Sequence, residues 1–217
     1  MQTIRLPHQP WQPQGTVYGT LLNFRREWDL WSPRMTQDPH KAAPKAPVLY
    51  VKTANTFSPA GQDLLLQDGV TEVDIGASLG LVIGRDGQVT GAALLNDWAV
   101  PHASYYRPPV KFRCREGFLA LPAQVPAGQV QDWAALQIAV RRNGDWVQTV
   151  DLRELMRDLP ALLSDVGEFM TLQPGDVLMV GTDCLAEGSR PRAKAGDRVE
   201  ISAPGFDAVV TTVGGAA

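Results

Sequence analysis

The sequence predicts a mainly β fold with a few short helices, and three observations carry that expectation. Seventeen prolines and twenty glycines among 217 residues interrupt the chain too often for long helices. Between them lie short runs of β-branched and apolar side chains. One Asn-Gly pair, Asn143-Gly144, sits between two such runs, where both residues tolerate the positive φ of a type I′ hairpin.

Strands are expected at residues 15–22, 48–52, 70–75, 77–84, 91–96, 136–142, 177–181, 198–202 and 208–213. The strongest helical pattern is Leu152, Leu155, Met156, Leu159, Leu162, Leu163, Val166, Phe169 and Met170, spaced at three and four. Pro160 cannot donate within that pattern, so it predicts two abutting helices with Pro160 near the start of the second. Ser32 to Pro47 holds four prolines and little apolar content and reads as a mobile surface loop. The whole of residues 1–217 is expected to form a single domain.

Composition excludes several classes. At 44% hydrophobic and 20% charged the chain can build a core, and a formal charge of -3 gives no field for a phosphate backbone or anionic lipid. Nucleic acid and membrane are therefore not expected partners. No apolar run reaches the ~20 residues of a membrane span, and the N-terminus lacks a leader's apolar stretch, so the expected location is the cytoplasm. Cys114 and Cys184 lie in no metal-binding or redox spacing and are read as thiols. No nucleophile elbow, phosphate-binding loop or dinucleotide fingerprint is present.

Chemistry is concentrated between Leu94 and Gly117. Asp97 stands where an apolar strand ends, a position from which a carboxylate can reach a cavity or cap a turn. Lys111, Arg113 and Arg115 alternate with Phe112 and Cys114, and an extended backbone would set all three cations on one face. With Arg107 just upstream, four cations in nine residues suggest an anion site suited to carboxylates, or a charged edge strand that resists aggregation. His102 follows Asp97 by five residues and is the histidine placed to share its cavity.

Several segments, in order, resemble one known family: Val82-Ile83-Gly84, Asn96-Asp97, Tyr106-Arg107-Pro108, Arg115-Glu116-Gly117, and Met170 to Asp176 followed by Gly181-Thr182. Together they are similar to the fumarylacetoacetate hydrolase family from about Gly15 to Val213. The resemblance implies a mixed β-sandwich or β-roll, usually dimeric. It also implies a Mg²⁺ or Mn²⁺ ion on a Glu-x-Glu pair and a following aspartate, chelating a 2-oxo acid and stabilising its enolate. It further implies isomerase and decarboxylase chemistry on 2-hydroxyhepta-2,4-diene-1,7-dioate and 5-oxopent-3-ene-1,2,5-tricarboxylate in 4-hydroxyphenylacetate breakdown.

Carried onto this sequence, Asp97 is the metal ligand, and Arg113, Lys111 and Thr182 are the catalytic candidates. Arg107, Arg115 and His102 are the substrate-binding candidates. The Glu-x-Glu positions fall on Gly76 and Ser78, with Asp74 as the carboxylate that could substitute. The family's early histidine falls near Glu27, and the residue after the late Thr is Asp183 rather than proline. A small 2-oxo dicarboxylate and a homodimeric or heteromeric homologous subunit are the implied partners. The alternative is a noncatalytic structural partner of a metal-bearing homologue.

Overall fold

The computed structural model describes residues 11–59, 61–102 and 110–215. Its strands are β1 (Val17–Leu21), β2 (Val48–Lys52), β3 (Phe57–Pro59), β4 (Leu64–Leu65), β5 (Glu72–Asp74), β6 (Ala77–Ile83), β7 (Val89–Asp97), β8 (Leu119–Leu121), β9 (Val125–Pro126), β10 (Gln137–Arg142), β11 (Asp145–Asp151), β12 (Val177–Met179), β13 (Arg192–Lys194), β14 (Arg198–Ser202) and β15 (Val209–Gly214). The helices are α1 (Arg25–Trp31), α2 (Val110–Arg113) and α3 (Leu159–Gly167).

An eight-stranded sheet runs β2-β1-β12-β6-β7-β8-β3, with β9 added on β7. Chain length alone forces this sheet to curl. Its edge strands β2 and β3 are separated by six strand spacings, ~29 Å if flat. Yet Lys52 and Phe57 are joined by five peptide steps, which reach at most ~18 Å. The edges therefore come together, and the sheet becomes a roll with an inside and an outside.

Period two sorts the side chains between these faces. Val17, Tyr50, Val82, Ala93, Leu95, Leu119, Leu121, Val177 and Met179 fill the inside. Leu79, Leu81, Leu94, Phe118 and Leu178 face outward, where β10, β14, β15 and α3 cover them with Ile138, Val140, Ile201, Val209, Leu162 and Val166. With both faces covered, all seven residues of β6 are buried, which explains a continuous apolar run instead of alternation. The second sheet, β11-β10-β14-β15-β4, supplies that outer cover.

The predicted β architecture is what the structure shows, and most strand positions agree within two residues. Asn143 and Gly144 have φ of 56° and 90°, as the expected hairpin requires. The helical pattern at 152–170 is only half realised. Its first part is a single 3-10 turn at Leu152–Glu154, capped by Asp151. Its second is α3, with the Asp158 carboxylate accepting from Ala161 N at 2.9 Å and Pro160 in the first turn. Beyond that turn Leu155 is extended and bridges Phe24, and Met156 N and Arg157 N donate to Asn23, so tertiary pairing takes the backbone groups that a helix before Pro160 would use. The segment after Trp31 forms a 3-10 turn at Ser32–Arg34 and no further helix or strand before Val48. No helix among the described residues is long and apolar enough to cross a membrane.

Leu95 lies fully buried inside the roll, where a truncated side chain leaves a cavity that rigid strands cannot close. Leu95→Ala is expected to cost about 2–5 kcal/mol, read as a lower urea midpoint at unchanged slope.

Candidate functional site

One mouth of the roll is closed by charge. Asp97 ends β7 and points its carboxylate inward, and it is 1% exposed. Lys52, at the end of β2, reaches it with Nζ at 2.8 Å from Oδ1. Arg113, at the end of α2, places Nη1 at 2.6 Å from Oδ2. The Tyr50 hydroxyl donates to the same Oδ2, and the Arg113 guanidinium stacks over the Tyr50 ring at 4.6 Å.

Local sequence explains each placement. Tyr50 and Lys52 are two apart on β2 and share its inner face. Gly19 is the partner of Tyr50 across the β1–β2 pair, and a Cβ there would overlap the tyrosine ring. The missing side chain lets the ring lie across the strand and reach Asp97. Lys52 also donates to the carbonyls of Phe118, at 2.8 Å, and of Arg113. With the Trp98 carbonyl at 3.4 Å these are three acceptors, one more than the N–H groups of a neutral amine, so the geometry holds the ammonium form beside Asp97.

The electrostatics are one-sided. Burial pushes the Asp97 carboxyl up, but Lys52 and Arg113, helped by the Tyr50 hydrogen bond, outweigh it and hold the group below the usual carboxylate range. Burial pulls the Lys52 ammonium below its usual range, with Asp97 resisting. Burial and the Asp97 charge push the Tyr50 phenol well up, so it stays a donor.

Beside this cluster a cavity of about 450 Å³ opens between Trp31 and Arg34, Asp74, His102, and Arg190 with Arg192. Arg190 anchors its wall. Its Nη2 lies 2.7 Å from Glu27 Oε1, and its Nε donates to Thr182 Oγ1 at 2.9 Å. Glu27 also accepts from Leu22 N, so α1 is tied to the roll through a buried carboxylate. Asp74 pairs with Arg192 at 3.3 Å, and burial raises its carboxyl despite Arg190 and Arg192 nearby.

The His102 ring stacks on Phe112 at 4.6 Å, and its Nδ1 lies 2.8 Å from Val100 O. A carbonyl only accepts, so Nδ1 carries the proton and Nε2 is the basic atom. Burial pulls His102 below its ordinary value and keeps the ring neutral near pH 7. A larger groove, about 890 Å³ between residues 129–137 and 202–206, carries Asp132 as its one charged lining residue.

The sequence-predicted residues thus part company. Arg113 and Asp97 do meet, but inside the protein. Lys111, Arg113 and Arg115 do not share a strand face, because the segment begins as a helical turn and about 100° per residue splays them. Lys111 is exposed, and Arg115 donates to Gln67 Oε1 at 2.8 Å. Arg107 lies outside the described residues. Thr182 is buried against Arg190. Tyr50, Lys52 and Arg190 were missed as site residues, and Glu27 was named only as the position near the family's early histidine. The signal for the first two was a tyrosine and a lysine at period two on an apolar strand; Arg190 gave none.

Mg²⁺ or Mn²⁺ calls for several anionic oxygens at one point, and the residues present do not fit. No group of three or more His, Cys, Asp and Glu converges among the described residues. A Cβ at Gly76 would overlap the Asp97 carbonyl, so the close approach of β7 leaves no space for a side chain at that position. Ser78 spends its hydroxyl on Gly181 O at 2.7 Å. Asp74 is turned to Arg192 instead of Asp97.

The comparisons with known proteins place this curled sheet in one family. Residues 16–214 match the fumarylacetoacetate (FAA) hydrolase C-terminal family. The chain belongs to the fumarylacetoacetate hydrolase family. It is 34% identical over 210 residues to the 4-hydroxyphenylacetate degradation bifunctional isomerase/decarboxylase of Salmonella dublin, covering 92% of this chain and 47% of the relative. The Escherichia coli protein of that name is 33% identical, with 89% and 46% covered. The chain therefore spans about half the length of these relatives. Its fold matches the fumarylpyruvate hydrolase of Pseudomonas aeruginosa, solved with Mn²⁺ and pyruvate, at a TM-score of 0.74 and 19% identity, over 98% of this chain and 99% of that one.

Two predictions test the cluster. Asp97→Asn leaves two buried cations facing a neutral amide and is expected to cost about 3–5 kcal/mol in urea unfolding. Because the folded carboxyl titrates below its unfolded value, its contribution is complete above the unfolded pKa. It is lost as pH falls through the folded one, so the urea midpoint of the wild type should drop more steeply in acid than that of Asp97→Asn. Gly19→Ala should expel the Tyr50 ring and expose its phenol, read as a tyrosine titration returning toward its ordinary value.

Proposed function

We propose that the chain is a subunit of a 2-hydroxyhepta-2,4-diene-1,7-dioate isomerase and 5-oxopent-3-ene-1,2,5-tricarboxylate decarboxylase in aromatic catabolism. The observation that carries the reading is identity above 30% to bifunctional isomerase/decarboxylases over about nine-tenths of the chain. The Arg34, Arg190, Arg192 and His102 cavity supports it, because a substrate with two or three carboxylates needs fixed cations at separated points.

In this reading Arg190, braced by Glu27 and Thr182, faces the 2-oxo carboxylate, and Arg34 at the rim takes the distal one. Decarboxylation breaks the bond to CO₂ and sends its electron pair through the alkene to the ketone oxygen. The dienolate so formed is stabilised by the Arg190 charge. Isomerisation removes the 2-hydroxyl proton and delivers one to the far end of the diene, and neutral His102 is the group placed to carry it. A homologous second half or subunit completes the assembly, in a homodimer or heteromer, since the relatives are twice as long. This reading takes the cytoplasm as the setting, in keeping with the scarcity of cysteine in the sequence.

A second reading is favoured by one observation, the saturation of Asp97 by Lys52 and Arg113. In it the chain is a noncatalytic structural partner, and a metal-bearing homologue does the chemistry.

Loss of diene absorbance, followed with the chain alone and with a homologous half added, separates the two. In the first reading the chain alone turns over, and Arg190→Met and His102→Gln each reduce kcat by about 10²-fold or more. The low-pH limb of the wild-type profile should lie below the ordinary histidine value and vanish in His102→Gln. Silence alone, with a homologue's rate indifferent to both substitutions, would reject it for the second.

A further inference from the structure

We infer that Lys52 and Arg113 form a built-in cation pair that takes the place of a divalent ion at Asp97, so that this centre works without metal. The inference concerns the charge that serves the site proposed above, but its argument stands on the cluster alone.

The first support is geometric. Lys52 approaches one carboxylate oxygen of Asp97, and Arg113 approaches the other together with the Tyr50 hydroxyl. Both oxygens are thus engaged by positive groups, and all three charged side chains are at most 2% exposed. A dication entering here would have to displace a lysine that is tied to backbone carbonyls of Phe118 and Arg113.

The second support is steric. The neighbouring strand approaches so closely at Gly76 that its N–H is taken by Asn96 Oδ1 and its Cα faces the Asp97 carbonyl. There is no room for a further carboxylate to join Asp97 from that position. Ser78 is committed to Gly181.

The third is charge balance. Asp97 supplies one negative charge and Lys52 and Arg113 supply two positive ones, so the centre is already net positive. A dication entering it would meet one anionic ligand and two fixed cations, which oppose its binding.

Mn²⁺ added to the full chain tests this directly. The six-line paramagnetic signal of free Mn²⁺ should keep its buffer amplitude, calorimetry should show no saturable heat, and Tm should be the same in EDTA and in excess Mn²⁺. An ion held at about 100 times its Kd would raise Tm by roughly 5–10 °C. Mn²⁺ broadening of the Tyr50 ring and Lys52 side-chain resonances reads the same site in the unsubstituted protein, whether or not variants fold. One ion per chain that broadens those resonances and is lost in Asp97→Ala would overturn the inference. The thermal shift produced by a 2-oxo dicarboxylate, measured in EDTA, separates the two ideas. Its absence, with no Mn²⁺ bound, rejects the proposed substrate and leaves the cation pair standing. A shift that appears only with Mn²⁺ rejects the cation pair.

Discussion

A buried aspartate held between a lysine and an arginine is the constraint on which the rest of this molecule turns. Ionised groups cannot be taken out of water singly, because the loss of hydration costs several kcal/mol per ion. Asp97, Lys52 and Arg113 are therefore obliged to meet, and they come from three different elements, the ends of β7, β2 and α2. Their meeting fixes how the end of β2, the end of β7 and the turn at α2 sit together. Such a cluster is a modest source of net stability compared with apolar packing, but it penalises every arrangement in which one partner is missing.

The roll makes the meeting possible. Five peptide steps between Lys52 and Phe57 pull the edges of an eight-stranded sheet together, and Gly19 leaves space inside for the Tyr50 ring. The polar mouth lies at the end of the roll because the inner face is otherwise filled by Val, Leu and Met. Next to it, the Glu27–Arg190 pair binds α1 to the loop before β13, and the cavity lies between them. One buried ion cluster closes the roll, and a second pair shapes the wall where a ligand would lie.

Much of this was legible in the residues and some was not. The strand positions, the Asn143-Gly144 hairpin and the family pattern are local or sequential signals, and they carried over well. Of the two abutting helices expected between Leu152 and Met170, the second formed and the first shrank to one turn, because Leu155 and Met156 pair with Phe24 and Asn23 instead. The three cations from Lys111 to Arg115 alternate in sequence, but the backbone there is helical, and alternation predicts a shared face only for a strand. Arg190 lies in a stretch of mixed small and charged residues that gives no periodic signal at all.

Sequence by itself determined the β class, the family, the turn chemistry and the presence of Gly76 and Ser78, neither of them a carboxylate, because these depend on residue identity and near spacing. Tertiary structure alone decided which cations Asp97 meets and where a cavity opens. Lys52 is forty-five residues from Asp97 and lies on a strand that only the curl of the sheet brings near β7. Glu27 and Arg190 lie at opposite ends of the chain and meet because β1 and β12, which they follow, pair side by side. Such contacts follow from pairing strands and closing a roll, properties of the whole chain that no local pattern of residues contains.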